Sequence, residues 1–291
     1  MITTEQLQRL FQVMVAASLG ELFWYAVLAF AVWLFFYVLF RNALRWRKIS
    51  TQDATSRQIA REIAFSLRSI AIYGLVTAAV VYARMHGWTL LYLEPGKFGW
   101  LWLFSSVLVM VVIHDAYFYW THRLMHHKRL YRFFHRTHHL STSPTPWAAY
   151  AFSPAEALVQ AGIGPLIVFT IPSHPAAFGI FMIWQIGFNV VGHCGYEVWP
   201  NWFLRSPLGK ILNTVTHHGL HHEKFRGNYG LYFNFWDRVM GTNHPQYVPR
   251  FELATGGVAT PISTPVSAPH FGPSPPVMPT PSQPETATSR V

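Results

Sequence analysis

The sequence has 291 residues, of which 51% are hydrophobic, 16% aromatic and only 12% charged. An ordinary soluble domain carries about 25% charged residues, so this composition excludes a typical water-facing protein and favours burial in lipid. The net charge of +10 does not indicate nucleic-acid binding, because the basic residues flank apolar runs, as loops beside anionic lipid do. Since Cys194 is the only cysteine, an internal disulfide and a thiolate metal site are also excluded.

Three apolar runs predict membrane-spanning helices. The first, residues 22–40, carries no charge and has close to the ~20 residues that a spanning helix needs. A second, weaker run lies between positions 68 and 84. The third covers residues 98–113 and continues in helix-compatible sequence through residues 115–120.

A helical hairpin is predicted after these spans. Residues 157–196 contain no Asp, Glu, Lys or Arg, and Pro172 and Pro175 interrupt the stretch near its middle. Its first arm, residues 157–171, is too short to cross the ~30 Å apolar core of a bilayer at about 1.5 Å per residue. The predicted fold is therefore all-α: a multi-pass membrane protein with about three spans, a helical hairpin and a His-rich helical cap.

The distribution of basic residues predicts the orientation in the membrane. Segment 41–69 carries seven Arg or Lys residues against Asp53 and Glu62, whereas segments 1–21 and 84–97 carry few. The positive-inside rule places segment 41–69 in the cytoplasm. Counting spans from there brings all the histidine clusters to the cytoplasmic side. The short chain without a fused haem domain or an ER retrieval signal favours the bacterial inner membrane.

The chain divides into two parts by composition. Residues 1–250 are predicted to form one membrane-embedded domain. Residues 251–291 are rich in Pro, Thr and Ser with almost no charge, which is typical of a disordered tail.

Most of the sixteen histidines fall into three clusters, in the motifs HRLMH, HRTHH and HHGLHH. Residues three and four apart share a helical face, so each cluster can direct several imidazoles at one point. Buried imidazoles need partners whether they are charged or neutral, and a shared metal ion supplies them. Imidazole suits Zn, Cu, Fe and Ni. One ion takes four to six ligands, so the eight to ten clustered histidines indicate two ions.

Spacing alone does not separate iron from zinc, and other classes stay open. A pH sensor also uses histidine clusters, but it does not explain the recurring HxxHH pattern. A His-ligated zinc membrane hydrolase needs three or four ligands, which leaves half of the clustered histidines unexplained. A metal transporter would hold its histidines within the bilayer, whereas most of these lie beyond the spans in Arg-rich segments.

Four motifs carry a resemblance to a known family. The run HDAYFYWTHRLMHHKRLYRFFHRTHH (114–139) resembles the signature of the fatty acid hydroxylase/sterol desaturase family. GHCGYE (192–197), HHGLHH (217–222) and NYGLYFNFWDRVMGT (228–242) are similar to its later motifs, in the same order. The likeness covers about residues 100–245. It implies a non-haem di-iron centre with O2 as co-substrate, which hydroxylates or desaturates a C–H bond of a lipid such as a fatty acyl chain or sterol.

Carried over by position, the resemblance implies nine metal ligands. These are His122, His126, His135, His138, His139, His193, His218, His221 and His222. Candidates for an additional ligand, or for hydrogen bonds that orient the ligands, are His114, His127, His217, Asp115 and Asp237. For Asp237, a structural pair with Arg238 or a helix cap is the alternative. Relatives place His-Pro after the second cluster, where this chain has Ser153-Pro154, so either that His is dispensable or this centre differs in one ligand.

The electrons for such a reaction are expected from another protein. The sequence contains no GxGxxG fingerprint, no Cys set for an iron–sulfur cluster and no evident haem-binding segment. A separate reductase or carrier of the ferredoxin or cytochrome b5 type would deliver them from NAD(P)H. The basic loops 41–68 and 123–136 are candidate docking sites, although contact with the membrane surface explains them as well.

Overall fold

The computed structural model describes residues 3–50 and 52–257. Within these residues the regular structure is helical, with only isolated β-bridges beside the helices, so the predicted all-α fold is confirmed. The helices are α1 (Thr4–Trp33), α2 (Ser56–Met85), α3 (Trp100–Met125), α4 (Tyr131–Phe134), α5 (Pro154–Ala161), α6 (Ile163–Thr170), α7 (Pro175–Gly192), α8 (Val215–Lys224), α9 (Phe235–Val239) and α10 (Tyr247–Ala254).

Among the described residues, four helices are long and apolar enough to cross a membrane: α1 with its π-helical extension Leu34–Leu39, α2, α3 and α7. The first span begins well before the apolar run predicted for it. The Thr3 side chain accepts a hydrogen bond from the backbone N–H of Gln6 at 3.2 Å, and Gln6 Oε1 accepts one from Thr3 N at 3.0 Å. This capping box starts the helix at the chain's polar beginning, which hydropathy alone does not register.

The predicted hairpin consists of α5 and α6 as one arm and α7 as the other. The first arm, Pro154–Thr170, is a shorter apolar helix pair, whereas α7 is long enough to span. The arm breaks at Gly162, where a Cβ atom would lie 2.6 Å from the Tyr117 hydroxyl. That hydroxyl donates a 2.6 Å hydrogen bond to Val159 O, so a larger residue at this position would displace the Tyr117 hydroxyl.

Clusters of buried apolar side chains hold the helices together. Met110, Ile167 and Phe181 join α3, α6 and α7. Tyr25 and Ile70 belong to a second cluster that joins α1, α2 and α7. These contacts fix the ends of α3 and α7 next to each other, on the side where the histidines lie.

Helix α2 also holds the loop that follows the second histidine cluster. Gln58 Nε2 donates to Ser143 O at 2.9 Å, Ser66 Oγ to Trp147 O at 3.0 Å and an Arg68 amino group to Phe152 O at 2.8 Å. The loop contains one short 3₁₀ helix, Pro146–Tyr150. These side chains satisfy carbonyls of the loop and fix its path.

The outer face of α3 is strongly apolar and exposed, as expected for contact with lipid. Leu108 is 69% exposed in the middle of this span. A Leu108→Arg change should cost about 2.5–3.5 kcal/mol of insertion free energy, because the charge would lie in the hydrocarbon region. The measurement is the fraction of protein recovered in the membrane. Leu208→Arg is the matched control, since Leu208 is 61% exposed but lies in a loop outside the spans. Equal losses for both variants would contradict a lipid-facing α3.

The last described helix, α10, crosses position 250 and buries Phe251. Residues 258–291, which make up most of the predicted tail, lie outside the described residues.

Candidate metal centre

The structure gathers all nine predicted ligands into two adjacent groups. Within each group the candidate ligand atoms lie within 4.8 Å of one another. The five-histidine group consists of His122, His126, His135, His139 and His221. The four-histidine group consists of His138, His193, His218 and His222.

Four segments of the chain supply these side chains. The last turns of α3 and the C-terminal end of α7 carry three of the nine, and the loop around α4 carries three. Helix α8 carries the remaining three. It contributes to both groups, because the side chains of neighbouring residues on a helix point about 100° apart. His221 therefore joins the five-histidine group while His222 joins the other. The adjacent His138 and His139, in a 3₁₀ turn, diverge in the same way.

The Nε2 atoms converge closely in the five-histidine group. His122 Nε2 lies 2.9 Å from His135 Nε2. His139 Nε2 lies 3.2 Å from His126 Nε2 and 3.1 Å from His221 Nε2.

The four-histidine group has the same spacing. His218 Nε2 lies 3.0 Å from His193 Nε2 and 3.1 Å from His222 Nε2. His138 Nε2 lies 3.3 Å from His193 Nε2. The rings of His139 and His222, one from each group, have centroids 4.8 Å apart, so the two groups are direct neighbours.

Hydrogen bonds on the other ring nitrogen fix the tautomer of four of these histidines. His122 Nδ1 donates to Tyr229 O at 2.8 Å and His193 Nδ1 to Asn189 O at 2.7 Å. His221 Nδ1 donates to Gly227 O at 2.7 Å, and His222 Nδ1 to Ser141 O at 3.0 Å. A carbonyl only accepts, so Nδ1 carries the proton. In the neutral ring Nε2 is then left as a lone pair directed into its group.

The donor set fits metal ions. Lone pairs about 3 Å apart repel one another unless a cation lies between them. Nitrogens bound at about 2.1 Å to one ion are about 3.0 Å apart at a right angle and about 3.4 Å apart at the tetrahedral angle. The observed Nε2 separations fall close to this range.

Burial keeps these imidazoles neutral, as ligands must be. It lowers the pKa of His135, His218 and His221 well below the usual value for histidine, and neighbouring imidazoles lower it further. Burial likewise lowers the pKa of His193 to about 4. The centre is therefore ready to bind cations at neutral pH without releasing protons from these rings.

A buried carboxylate that the sequence analysis did not single out contacts one of the nine. Glu156 Oε1 lies 2.6 Å from His135 Nδ1. The sequence feature that could have drawn attention to Glu156 is Ser153-x-x-Glu156, the pattern of a capping box. Ser153 does cap α5, accepting a hydrogen bond from Glu156 N at 3.1 Å. Ser153 thus stands at the position where the resemblance implies a histidine, and it belongs to neither histidine group.

Asp237 acts on the centre through a loop and does not contact the nine histidines. Its Oδ1 accepts hydrogen bonds from Tyr229 N at 2.9 Å and Thr242 Oγ1 at 2.6 Å, and its Oδ2 accepts one from Gly230 N at 2.7 Å. Burial opposes its ionisation, but the nearby His217 and these hydrogen bonds outweigh that effect and leave the pKa of Asp237 at about 2. The ionised carboxylate holds the loop whose carbonyls orient two of the ligands.

The other candidates lie outside both groups. His114 Nδ1 is 2.8 Å from the Tyr232 hydroxyl, and Asp115 Oδ1 accepts hydrogen bonds from two backbone N–H groups of the same segment, Tyr232 and Phe233. His217 is buried with its Nε2 3.4 Å from Asp237 Oδ2. The fifth candidate, His127, is exposed, and its Nδ1 accepts a 3.4 Å hydrogen bond from Arg129 N.

Aromatic side chains enclose the centre. The ring of Phe118 lies 4.9 Å from that of His122, and Phe152 lies 5.0 Å from His138. Phe225 lies 4.9 Å from His139. The two groups are therefore walled by apolar surface, which limits the access of water.

Comparison with known proteins gives matches over the same region. The family model described as fatty acid hydroxylase matches residues 107–242. A Delta(7)-sterol 5(6)-desaturase of Gibberella zeae is 33% identical over 186 residues, which are 64% of this chain and 56% of that protein. The lathosterol oxidase of Rattus norvegicus is 30% identical over 236 residues, covering 80% of this chain and 75% of the rat protein. The human lathosterol oxidase is 28% identical over 220 residues, or 75% of this chain and 71% of its own. No solved structure gives a significant match.

Proposed function

Because the chain belongs to the fatty acid hydroxylase/sterol desaturase family, whose members are oxidoreductases, we propose that it is a membrane-embedded di-iron enzyme that uses O2 to hydroxylate or desaturate a C–H bond of a lipid. The relatives named as sterol desaturases and lathosterol oxidases favour a sterol-like substrate and desaturation. A fatty acyl chain is the other candidate. The observation that carries the proposal is the convergence of nine imidazoles into two adjacent groups of nitrogen donors.

The chain's own residues would hold, orient and shield the metals. The nine histidines bind, one ion to each group, and the backbone carbonyls on Nδ1 keep the rings aimed inward. When bound, the two ions would activate O2 for the oxidation, which amino-acid side chains cannot do. The aromatic walls exclude water, which protects a strongly oxidising site from side reactions.

The substrate would approach from the membrane side. Phe118 belongs to α3, whose outer face is exposed and apolar, and it borders the five-histidine group. Phe152 borders the four-histidine group. An apolar lipid carbon would therefore meet hydrocarbon-like side chains next to both groups, at the end of the spans.

We propose a separate electron donor, a ferredoxin- or cytochrome b5-type protein that draws on NAD(P)H. A recess of about 330 Å³ is lined by Arg41, Arg45 and Lys48 against a single carboxylate, Asp53. This excess of positive charge supports an acidic partner at this face. Tyr196 also lines the recess, only three positions after the proposed ligand His193. The same basic residues support a cytoplasmic orientation, and the bacterial inner membrane stays the proposed location.

Metal analysis of the purified protein tests this function. Protein expressed with added iron and purified in detergent is expected to contain two irons per chain. The loaded protein, supplied with a reductase and carrier, should then consume O2 in the presence of a sterol or acyl lipid and yield a hydroxylated or desaturated product.

Metal analysis separates the zinc hydrolase from the oxygenase, and a transport assay separates the metal transporter. Stoichiometric zinc without iron, even after growth in iron-rich medium, would contradict the oxygenase and favour the zinc hydrolase. Metal uptake by proteoliposomes would favour the transporter. Its absence is expected here, because backbone carbonyls fix four of the nine rings in one orientation, as a resident ion requires.

A further inference from the structure

His135 differs from four of the other candidate ligands in the group that its Nδ1 atom contacts. The Nδ1 atoms of His122, His193, His221 and His222 donate to neutral backbone carbonyls. His135 Nδ1 instead contacts the carboxylate of Glu156 at 2.6 Å, with the two side chains 2% and 0% exposed.

Ser153 fixes the position of this carboxylate relative to His135. Its hydroxyl accepts a hydrogen bond from Glu156 N and donates one to Phe134 O at 2.6 Å. Phe134 directly precedes His135, so Ser153 ties the start of α5 to the backbone beside the ligand. In a complete capping box the Glu side chain would return to the N-cap backbone. Here it reaches the imidazole instead.

Burial raises the pKa of Glu156. A metal ion on His135 Nε2 would require the ring proton to stay on Nδ1, so Glu156 Oε1 accepts that proton, and the nearby cation favours the ionised carboxylate. The carboxylate attracts the Nδ1 proton, which raises the electron density and basicity of the ring. The low dielectric of this buried site leaves the charge poorly screened. His135 belongs to the group that already has five nitrogen donors, whereas the other group has four.

We propose that Glu156, held by Ser153, makes the two metal positions unequal, so that the five-histidine group binds its ion more tightly than the four-histidine group. Glu156 is a positioning residue, since it acts through His135. The inference rests on the proposed function in one respect, namely that each group holds one ion.

Stepwise removal of metal tests the inequality without any enzyme assay. Protein loaded anaerobically with Fe²⁺ in detergent is titrated with a chelator, and the metal per chain is measured at each concentration. The wild-type protein should lose iron in two steps separated by a plateau at one ion. Release of both ions in a single step would overturn the inference while leaving the two-ion centre intact. A wild-type protein that binds no iron would overturn this inference and the proposed function together.

Two variants of Glu156 separate its charge from its geometry. In Glu156→Gln the amide oxygen still accepts the Nδ1 proton, so the ring keeps its orientation but loses the charge. We expect about tenfold weaker binding in the tighter step and no change in the weaker one. Glu156→Ala removes both contributions and should weaken the tighter step by about 100-fold. A Glu156→Gln protein with an unchanged tighter step, or with a shift confined to the weaker step, would show that Glu156 does not have this role.

Glu62→Gln is the matched control. Glu62 is also fully buried, but it contacts Gln58 and Thr145 rather than a histidine. Both steps should stay at their wild-type chelator concentrations in this variant, even if the protein unfolds at a lower temperature. A shift of the tighter step as large as that in Glu156→Gln would mean that loss of any buried carboxylate loosens the site, and would overturn the proposal.

Discussion

Replacing His126 by alanine should remove one of the two ions and reduce turnover by more than about 100-fold. Its Nε2 lies 3.1 Å from His221 Nε2 and 3.2 Å from His139 Nε2, so its loss opens one side of the five-histidine group. Loss of a residue that only orients a ligand typically costs about 10–100-fold, and loss of a ligand itself should cost at least the upper end. The measurements are iron per chain and the rate of lipid oxidation.

The adjacent histidine is the control for this substitution. His127 is exposed and belongs to neither group. His127→Ala should keep two ions per chain and near wild-type turnover. If both alanine variants lost iron equally, the ligand assignment from the two groups would be wrong.

Asp237→Asn should lower the stability of the protein and its metal content together. The ionised carboxylate accepts hydrogen bonds from Tyr229 N, Gly230 N and the Thr242 hydroxyl. An asparagine turns an N–H toward at least one of these donors. Since hydrogen bonds to charged groups contribute about 1.5–3 kcal/mol each, we expect a loss of about 3 kcal/mol. That corresponds to about 6–12 °C in Tm for a domain of this size.

The metal content should fall because the released loop carries Gly227 O and Tyr229 O, which fix the rings of His221 and His122. Thermal unfolding followed by tryptophan fluorescence and iron analysis measure the two effects. Asp53→Asn is the control, because the Asp53 side chain is 63% exposed and lies far from this loop in sequence. A destabilised Asp237→Asn protein that retained two irons would show that the loop does not orient the ligands.

The contribution of Asp237 to the stability of the folded protein decreases at low pH. Its pKa in the folded protein is about 2, below the ordinary value of 3.8. The stabilisation is therefore fully present at neutral pH and is lost as the pH falls from about 4 towards 2.

The sequence predicted those features that follow from local patterns. Apolar runs predicted the spans, and the four-residue spacing of His122 and His126 or of His218 and His222 predicted that each pair would share a face. In the structure each pair indeed lies within one group. Three of the four candidate spans and the hairpin were accessible for the same reason, because a helix that crosses the lipid needs about 20 apolar residues.

The partition of the histidines into groups could not be predicted from spacing. His138 and His139 are neighbours in sequence, yet a 3₁₀ turn sends them to different groups. Glu156 lies 21 positions from His135, and only the path of the intervening loop brings them together. The carbonyls that orient the rings likewise carry no signal in the sequence, because every residue has one.

The separation of the ligands along the chain also determines when each metal site becomes complete during biosynthesis. His126 and His221 meet in one group although they lie 95 positions apart. At about 5–20 residues per second, a ribosome needs about 5–20 s to synthesise the chain between them. Throughout that interval the nascent protein displays an incomplete set of imidazoles, to which Cu²⁺ and Zn²⁺ bind more tightly than Fe²⁺ in the Irving–Williams order. For an iron enzyme, correct metallation then depends on how little free copper and zinc the cell presents to the growing chain.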